Sequence, residues 1–105
     1  MIDQTQRALN LIGLSLKAGK LIMGEGLVLA ALRQHKLKLV IVAADASDGT
    51  RRMLTSKSAS YQTPIIEAFS KEAIDQALGR PRTILGVTDV GFAKRLIALL
   101  NTQGA

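Results

Sequence analysis

Apolar residues recur along this chain either three and four positions apart or in short unbroken runs, and the two patterns alternate from end to end. Asp3 can cap a first helix running to about Lys17, with Leu9, Ile12 and Leu16 on one face and Gly19 closing it. Leu21 to Met23 reads as a short strand. A second helix begins near Gly24 or Glu25, and the helical spacing of Leu27, Val28, Ala31 and Leu32 predicts that all four are buried. The continuous run Leu39-Val40-Ile41-Val42-Ala43-Ala44, rich in β-branched residues, predicts a strand covered on both faces. Asp45 to Gly49 reads as a loop able to cap the next helix. Thr50 to about Ser60 reads as a helix weakened by its Ser and Thr content. Pro64 introduces a strand over Ile65 to Ala68, and Ser70 caps a helix from Lys71 to Leu78 that Gly79 ends. Thr83 to Thr88 reads as a last strand interrupted by Gly86. Phe92, Ala93, Leu96, Ile97, Leu99 and Leu100 make a final amphipathic helix up to Asn101. Such alternation predicts an α/β fold, a sheet between helical layers.

Composition narrows the picture. The 105 residues fit one domain, 1–105, with enough chain for a real core. With 48% apolar but only 3% aromatic residues, that core must be aliphatic. The lack of cysteine excludes disulfides and thiolate metal sites. No apolar run is long enough to span a membrane. The start, Met1-Ile2-Asp3-Gln4, lacks a basic flank followed by an apolar stretch, so a cytoplasmic protein is expected. Fourteen Lys and Arg against eight Asp and Glu give a net charge of +6, which favours nucleic acid or another polyanion as partner.

The residues offer little to catalysis. His35, the single histidine, lies at the end of the second helix, where capping is the simpler role. Neither a nucleophile elbow nor a P-loop occurs. Asp45, Asp48 and Gly49 lack the alternation and closing Glu of a calcium loop, so no metal is expected. Asp45, Asp48, Glu67 and Asp89 lie near strand ends, where carboxylates more often balance arginines than act as acid and base. No cofactor is expected either.

Positive charge gathers beside flexible loops instead. Lys17-Ala18-Gly19-Lys20-Leu21-Ile22-Met23-Gly24-Glu25-Gly26 puts two lysines at the mouth of a strand and two glycines where a helix begins, and unpaired amides at a helix start attract anions. The simpler reading is a tight turn with Glu25 favoured by the helix dipole. Arg51-Arg52 and Arg80-Pro81-Arg82 are two further basic segments, and the loops Gly24–Gly26, Asp45–Gly49 and Gly79–Thr83 are expected to share one rim of the sheet. Tyr61, Phe69 and Phe92 are too few to build a stacking surface for single strands.

Lys17-Ala18-Gly19-Lys20, Gly24-Glu25, Lys36-Leu37-Lys38-Leu39-Val40, Ala44-Asp45-Ala46-Ser47, Tyr61-x-x-Pro64 and Gly91-Phe92-Ala93-Lys94 occur in that order. Together they resemble the bacterial YlxQ branch of the "L-seven-Ae" ribosomal-protein superfamily, over about Gln6 to Leu100. The resemblance implies a three-layer α/β/α sandwich with a four-stranded mixed sheet. It also implies RNA binding without catalysis, since better-known members read the sheared G·A pairs of kink-turns from the start of the second helix. Carried over by position, it makes Gly24 the glycine whose backbone meets RNA, and places Ser47 in the loop near an extruded base. Arg80, Pro81, Arg82 and Thr83 then form the loop that supports flipped-out nucleotides. The base-reading Asn-Glu pair and the helix lysine of those members fall here on Gly26, Leu27 and Ala30, so all three polar side chains are missing.

The expected RNA-binding residues are therefore Lys17, Lys20, Gly24, Glu25, Gly26, Ser47, Arg80, Arg82 and Thr83. The expected partners are structured RNA, ribosomal RNA first, and ribosomal proteins; no membrane partner is expected. Two readings compete: a module binding an acidic protein through the same basic surface, and a small enzyme holding a phosphorylated ligand at Gly24–Gly26, for which no acid or base is in view.

Overall fold

The computed structural model describes residues 3–101, which form α1 (Gln4–Lys17), β1 (Leu21–Met23), α2 (Glu25–Arg33), β2 (Leu39–Val42), α3 (Asp48–Ser60), β3 (Ile65–Glu67), α4 (Lys71–Leu78), β4 (Ile84–Val87) and α5 (Val90–Asn101). The four strands make one mixed sheet in the order β1-β4-β2-β3, in which β4 is antiparallel to both neighbours and β3 is parallel to β2. On one side α1 packs against α4 and α5; α2 and α3 pack together and against the strands on the other. This is the three-layer α/β/α sandwich.

Side-chain caps set three helix starts. Asp3 accepts from the Gln6 amide at 2.8 Å, Ser47 from Thr50 at 3.2 Å and Ser70 from Ala73 at 3.0 Å. Gly19 (φ 72°) and Gly79 (φ 73°) end α1 and α4 in the left-handed region, as glycine allows. The strand at Leu39 stops at Val42 rather than Ala44. The Ala43 amide still meets the Thr83 carbonyl in register with β4, but the Ala44 amide reaches Phe69, one residue past its register with β3. Ser47 then caps a helix that starts at Asp48, earlier than the Ser/Thr-rich composition suggests.

The core is aliphatic, as composition requires: β2 and β4 are buried along their whole length, and Ile12, Val28, Leu32, Leu54, Ile74 and Leu96 fill the layers above and below them. Leu27 departs from the expectation. Val28, Ala31 and Leu32 form the inward stripe of α2, and about 100° of rotation per residue carries Leu27 off it, where it is 66% exposed.

Gly86 corrects a second expectation. It does not interrupt β4 but sits in mid-strand, paired with Ile22 on one side and Val40 on the other. A Cβ there would lie 2.9 Å from both terminal methyls of buried Leu37, so glycine leaves the slot that Leu37 fills. Gly86→Ala should destabilise the fold by about 1 kcal/mol, at the low end of overpacking because leucine methyls can swing aside. Combining it with Leu37→Ala should be markedly less than additive in denaturant melts. Simple additivity would refute this packing role.

Candidate nucleic-acid interface

Strand direction brings the loops together. Because β1 and β2 both oppose β4, and β3 follows β2, the carboxyl ends of β1, β2 and β3 and the amino end of β4 share one edge of the sheet. Four backbone contacts lock the loops there. The Gly24 amide donates to Ile84 (2.9 Å), Ala43 to Thr83 (2.8 Å), Ala44 to Phe69 (2.8 Å), and Lys71 to the Asp45 carboxylate (3.0 Å). Phe69 makes its contact from φ 67°, an uncommon conformation for a bulky residue. The result is a cleft of about 390 Å³ lined by Gly24, Glu25, Ser47, Thr50, Lys71, Pro81, Arg82, Thr83 and Ile84.

The start of α2 opens into this cleft. Gly24 is its N-cap, at φ 101° and ψ 151°, and supplies no side-chain acceptor to the first amides. Those amides carry partial positive charge into the cleft. Gly26 lies on the exposed first turn, and a Cβ on either glycine would meet open space. Glu25, the acidic residue of that turn, is exposed on the cleft wall. Ser47 is occupied structurally: besides accepting from the Thr50 amide, its hydroxyl donates to Thr50 Oγ1 at 2.9 Å. Opposite them, Arg82 donates to the neighbouring Pro81 carbonyl at 2.9 Å and reaches no carboxylate among the described residues. The Lys71 ammonium likewise forms no ion pair there, although its backbone amide is held by Asp45. Arg80 lies exposed on the same loop, outside the lining itself.

The expected rim of three loops is thus assembled around Gly24, Glu25, Ser47, Arg82 and Thr83. Lys17 and Lys20 lie elsewhere. Lys20 precedes β1, and its carbonyl accepts from Thr88 beyond the far end of β4, so the whole of β1 separates it from Gly24. Lys71 and Thr50 are lining residues that sequence reasoning missed. The Asp45–Lys71 bond that delivers Lys71 spans 26 positions and has no local signature.

Arg51 and Arg52 face a second cleft, of about 610 Å³, with Asp48, Thr55, Ser56 and Glu67. Arg51 is held there by Asp48 and by Glu67 at 3.6 Å, which is the balancing role expected of those carboxylates. Asp45 and Asp89 are engaged with the amides of Lys71 and Phe92. His35 ends α2 in the left-handed region, its amide on the Leu32 carbonyl and its ring edge-on to Tyr61 at 5.7 Å. Among the described residues no group of three or more His, Asp or Glu could hold a metal, and no helix is long and apolar enough to cross a membrane.

Comparison with known proteins identifies relatives and structures of the same fold. The model of the "Ribosomal protein L7Ae/L30e/S12e/Gadd45 family" matches residues 6–97. The chain is 47% identical over 95 residues to a protein of Enterococcus faecium called RNA-binding protein YlxQ, covering 90% of this chain and 92% of that one. It is 37% identical over 92 residues to the protein of the same name from Bacillus subtilis, covering 87% and 92%. Among solved structures it resembles a Bacillus halodurans protein of unknown function, with a TM-score of 0.87 and 34% identity over 90% of this chain and 97% of that one. The Giardia lamblia 15.5kD RNA binding protein shares the fold, with a TM-score of 0.76 at 19% identity over 97% of this chain and 89% of that one.

Proposed function

The chain belongs to the ribosomal protein L7Ae/L30e/S12e/Gadd45 family, and from that membership we propose that it is a non-catalytic protein binding structured RNA, ribosomal RNA first, through the cleft at the start of α2. One observation carries the reading. The uncapped amides of α2 share one cleft with Arg82 and Lys71, whose side chains form no ion pair among the described residues, and Glu25 is the acidic residue of that lining. Amides and cations of this kind hold phosphates, which fixes position on an RNA without reading its bases. The names of the two YlxQ relatives, both called RNA-binding, support the same class of partner.

Base reading is where this chain differs from the kink-turn readers it resembles. Gly26 and Leu27 offer no hydrogen-bonding side chain at the mouth of the cleft, and Ala30 offers none one turn further on. Recognition therefore rests on RNA shape and phosphate placement, and a standard kink-turn is bound only weakly.

Two measurements test the proposal. RNA crosslinked to the protein in cells should sequence to structured, chiefly ribosomal, RNA; a random sample of transcripts would count against it. In titrations of a structured RNA, Arg80→Gln with Arg82→Gln should flatten the dependence of log affinity on log salt by roughly 2, about 0.9 for each phosphate no longer neutralised. Different RNAs should weaken alike. A salt response unchanged by the pair would remove Arg80 and Arg82 from the interface.

A further inference from the structure

The lysines that the fold separates from the cleft are themselves gathered, at the opposite edge of the sheet. Lys20 precedes β1 and Lys38 precedes β2, and both are tied to the end of β4 lying between those strands. Thr88 donates its amide (3.0 Å) and hydroxyl (3.2 Å) to the Lys20 carbonyl, and the Lys38 amide donates to the Val87 carbonyl at 2.7 Å. One strand between two neighbours sets the two lysine backbones roughly 10 Å apart. Lys17 stands in the last turn of α1, which wraps through Gly19 so that the Lys20 amide returns to the Ser15 carbonyl at 2.8 Å. Lys36 is held from the other side, because Leu37 is buried in the Gly86 slot while Lys36 and Lys38 on either side of it remain exposed.

All four lysines are exposed, and none has a carboxylate partner among the described residues. The carboxyl ends of α1 and α2 lie beside them and account for some of this charge. Each helix end supplies about half a negative charge, and Asp89 next to Thr88 one more, against five cations once Arg33 is counted. An excess of about three positive charges is left, more than helix-end compensation explains.

We propose that Lys17, Lys20, Lys36 and Lys38 form a second surface for RNA phosphates, so that one molecule bridges two RNA segments. The inference rests on the cleft being the first RNA site. The strand from Lys20 to Gly24 separates the two surfaces by roughly 13 Å, and they open at opposite ends of the sheet, so an RNA segment seated in the cleft leaves the lysines free for another. Ammonium groups on flexible stems suit sequence-independent contact with phosphates.

The test uses the whole protein and one RNA hairpin in two pools, carrying donor and acceptor dyes, with native mass spectrometry to count chains. A species of one protein and two hairpins, giving energy transfer, is expected. Replacing all four lysines by glutamate should abolish it, leaving only a one-to-one complex at the cleft. A parallel set of lysine-to-glutamine changes, with circular dichroism melts, covers the case in which the reversed charges disturb folding, and should remove the second hairpin as well. The bridge is refuted if only one-to-one complexes form, if the second hairpin survives both sets of substitutions, or if hairpins join only through two protein copies. Absence of any complex, even one-to-one, would instead overturn the cleft reading on which the bridge depends.

Discussion

A variant carrying Gly26→Asn, Leu27→Glu and Ala30→Lys should bind a standard kink-turn RNA at least about thirtyfold more tightly than the natural chain. That factor assumes two working base contacts at the lower end of the roughly 1–3 kcal/mol that a good base-edge pair is worth in duplex readout. The structure favours the exchange. Leu27 is 66% exposed, so its replacement by glutamate buries no charge and opens no cavity. With Gly24 as N-cap, Leu27 is the third residue of the helix, where a carboxylate suits the dipole. A Cβ on Gly26 would meet nothing within 4 Å, and asparagine is no worse than glycine inside a helix. Ala30 is half-buried, and a lysine there can lay its stem along α2 and carry its ammonium outward. Titration against the kink-turn and against an RNA lacking the G·A pairs, with circular dichroism of each protein, provides the comparison. If the unmodified chain already binds tightly and depends on the G·A pairs, the missing side chains do not matter and the argument from Gly26, Leu27 and Ala30 fails.

How much of the fold is legible in the sequence depends on the range of the interactions involved. Helix α4 is read correctly to the residue, since its start and end are fixed by Ser70 and Gly79, whose signals are local. The run from Leu39 identifies a doubly covered strand because it is short, continuous and centred on the β-branched residues Val40, Ile41 and Val42. Strand order has no such local cause. Nothing near Ile84 says that β4 lies between β1 and β2, yet that placement turns Gly86 from an apparent interruption into the packing slot of Leu37.

The candidate site divides in the same way. That Gly24, Ser47 and Arg82 would share a rim follows from alternating strands and helices, whose loops gather at one edge, and the structure assembles it. Reading Lys17 and Lys20 into the same basic motif as Gly24 treats nearness in sequence as nearness in space. A three-residue strand is enough to send the lysines to the opposite edge. Lys71, by contrast, looks like an ordinary solvated charge until Asp45 holds the start of α4 against the cleft. Arg51 has one carboxylate partner, Asp48, three residues earlier in its own helix, while the second, Glu67, comes from a different element and leaves no local sign.

The two glycines of the helix start should respond to substitution in opposite directions. Gly24 sits at φ 101° and ψ 151°, close to a region that side-chain-bearing residues scarcely occupy, and a Cβ there meets nothing within 4 Å. The cost of Gly24→Val is therefore backbone strain rather than a clash, about 1–3 kcal/mol. For a domain near this size that lowers the melting temperature by roughly 4–20 °C. Positive φ at Gly24 makes the fold itself the first casualty of an added Cβ. Gly26 is an ordinary helical residue facing open space, so Gly26→Ala should instead stabilise by about 0.5–1 kcal/mol. RNA affinity is then compared at a temperature where every variant remains folded. Loss of affinity in Gly24→Val beyond its unfolded fraction would place the Gly24 backbone against the RNA. Full affinity would restrict it to shaping the turn that exposes the α2 amides. A Gly24→Val protein that melts with the natural chain would show that the helix start reaches its geometry without positive φ.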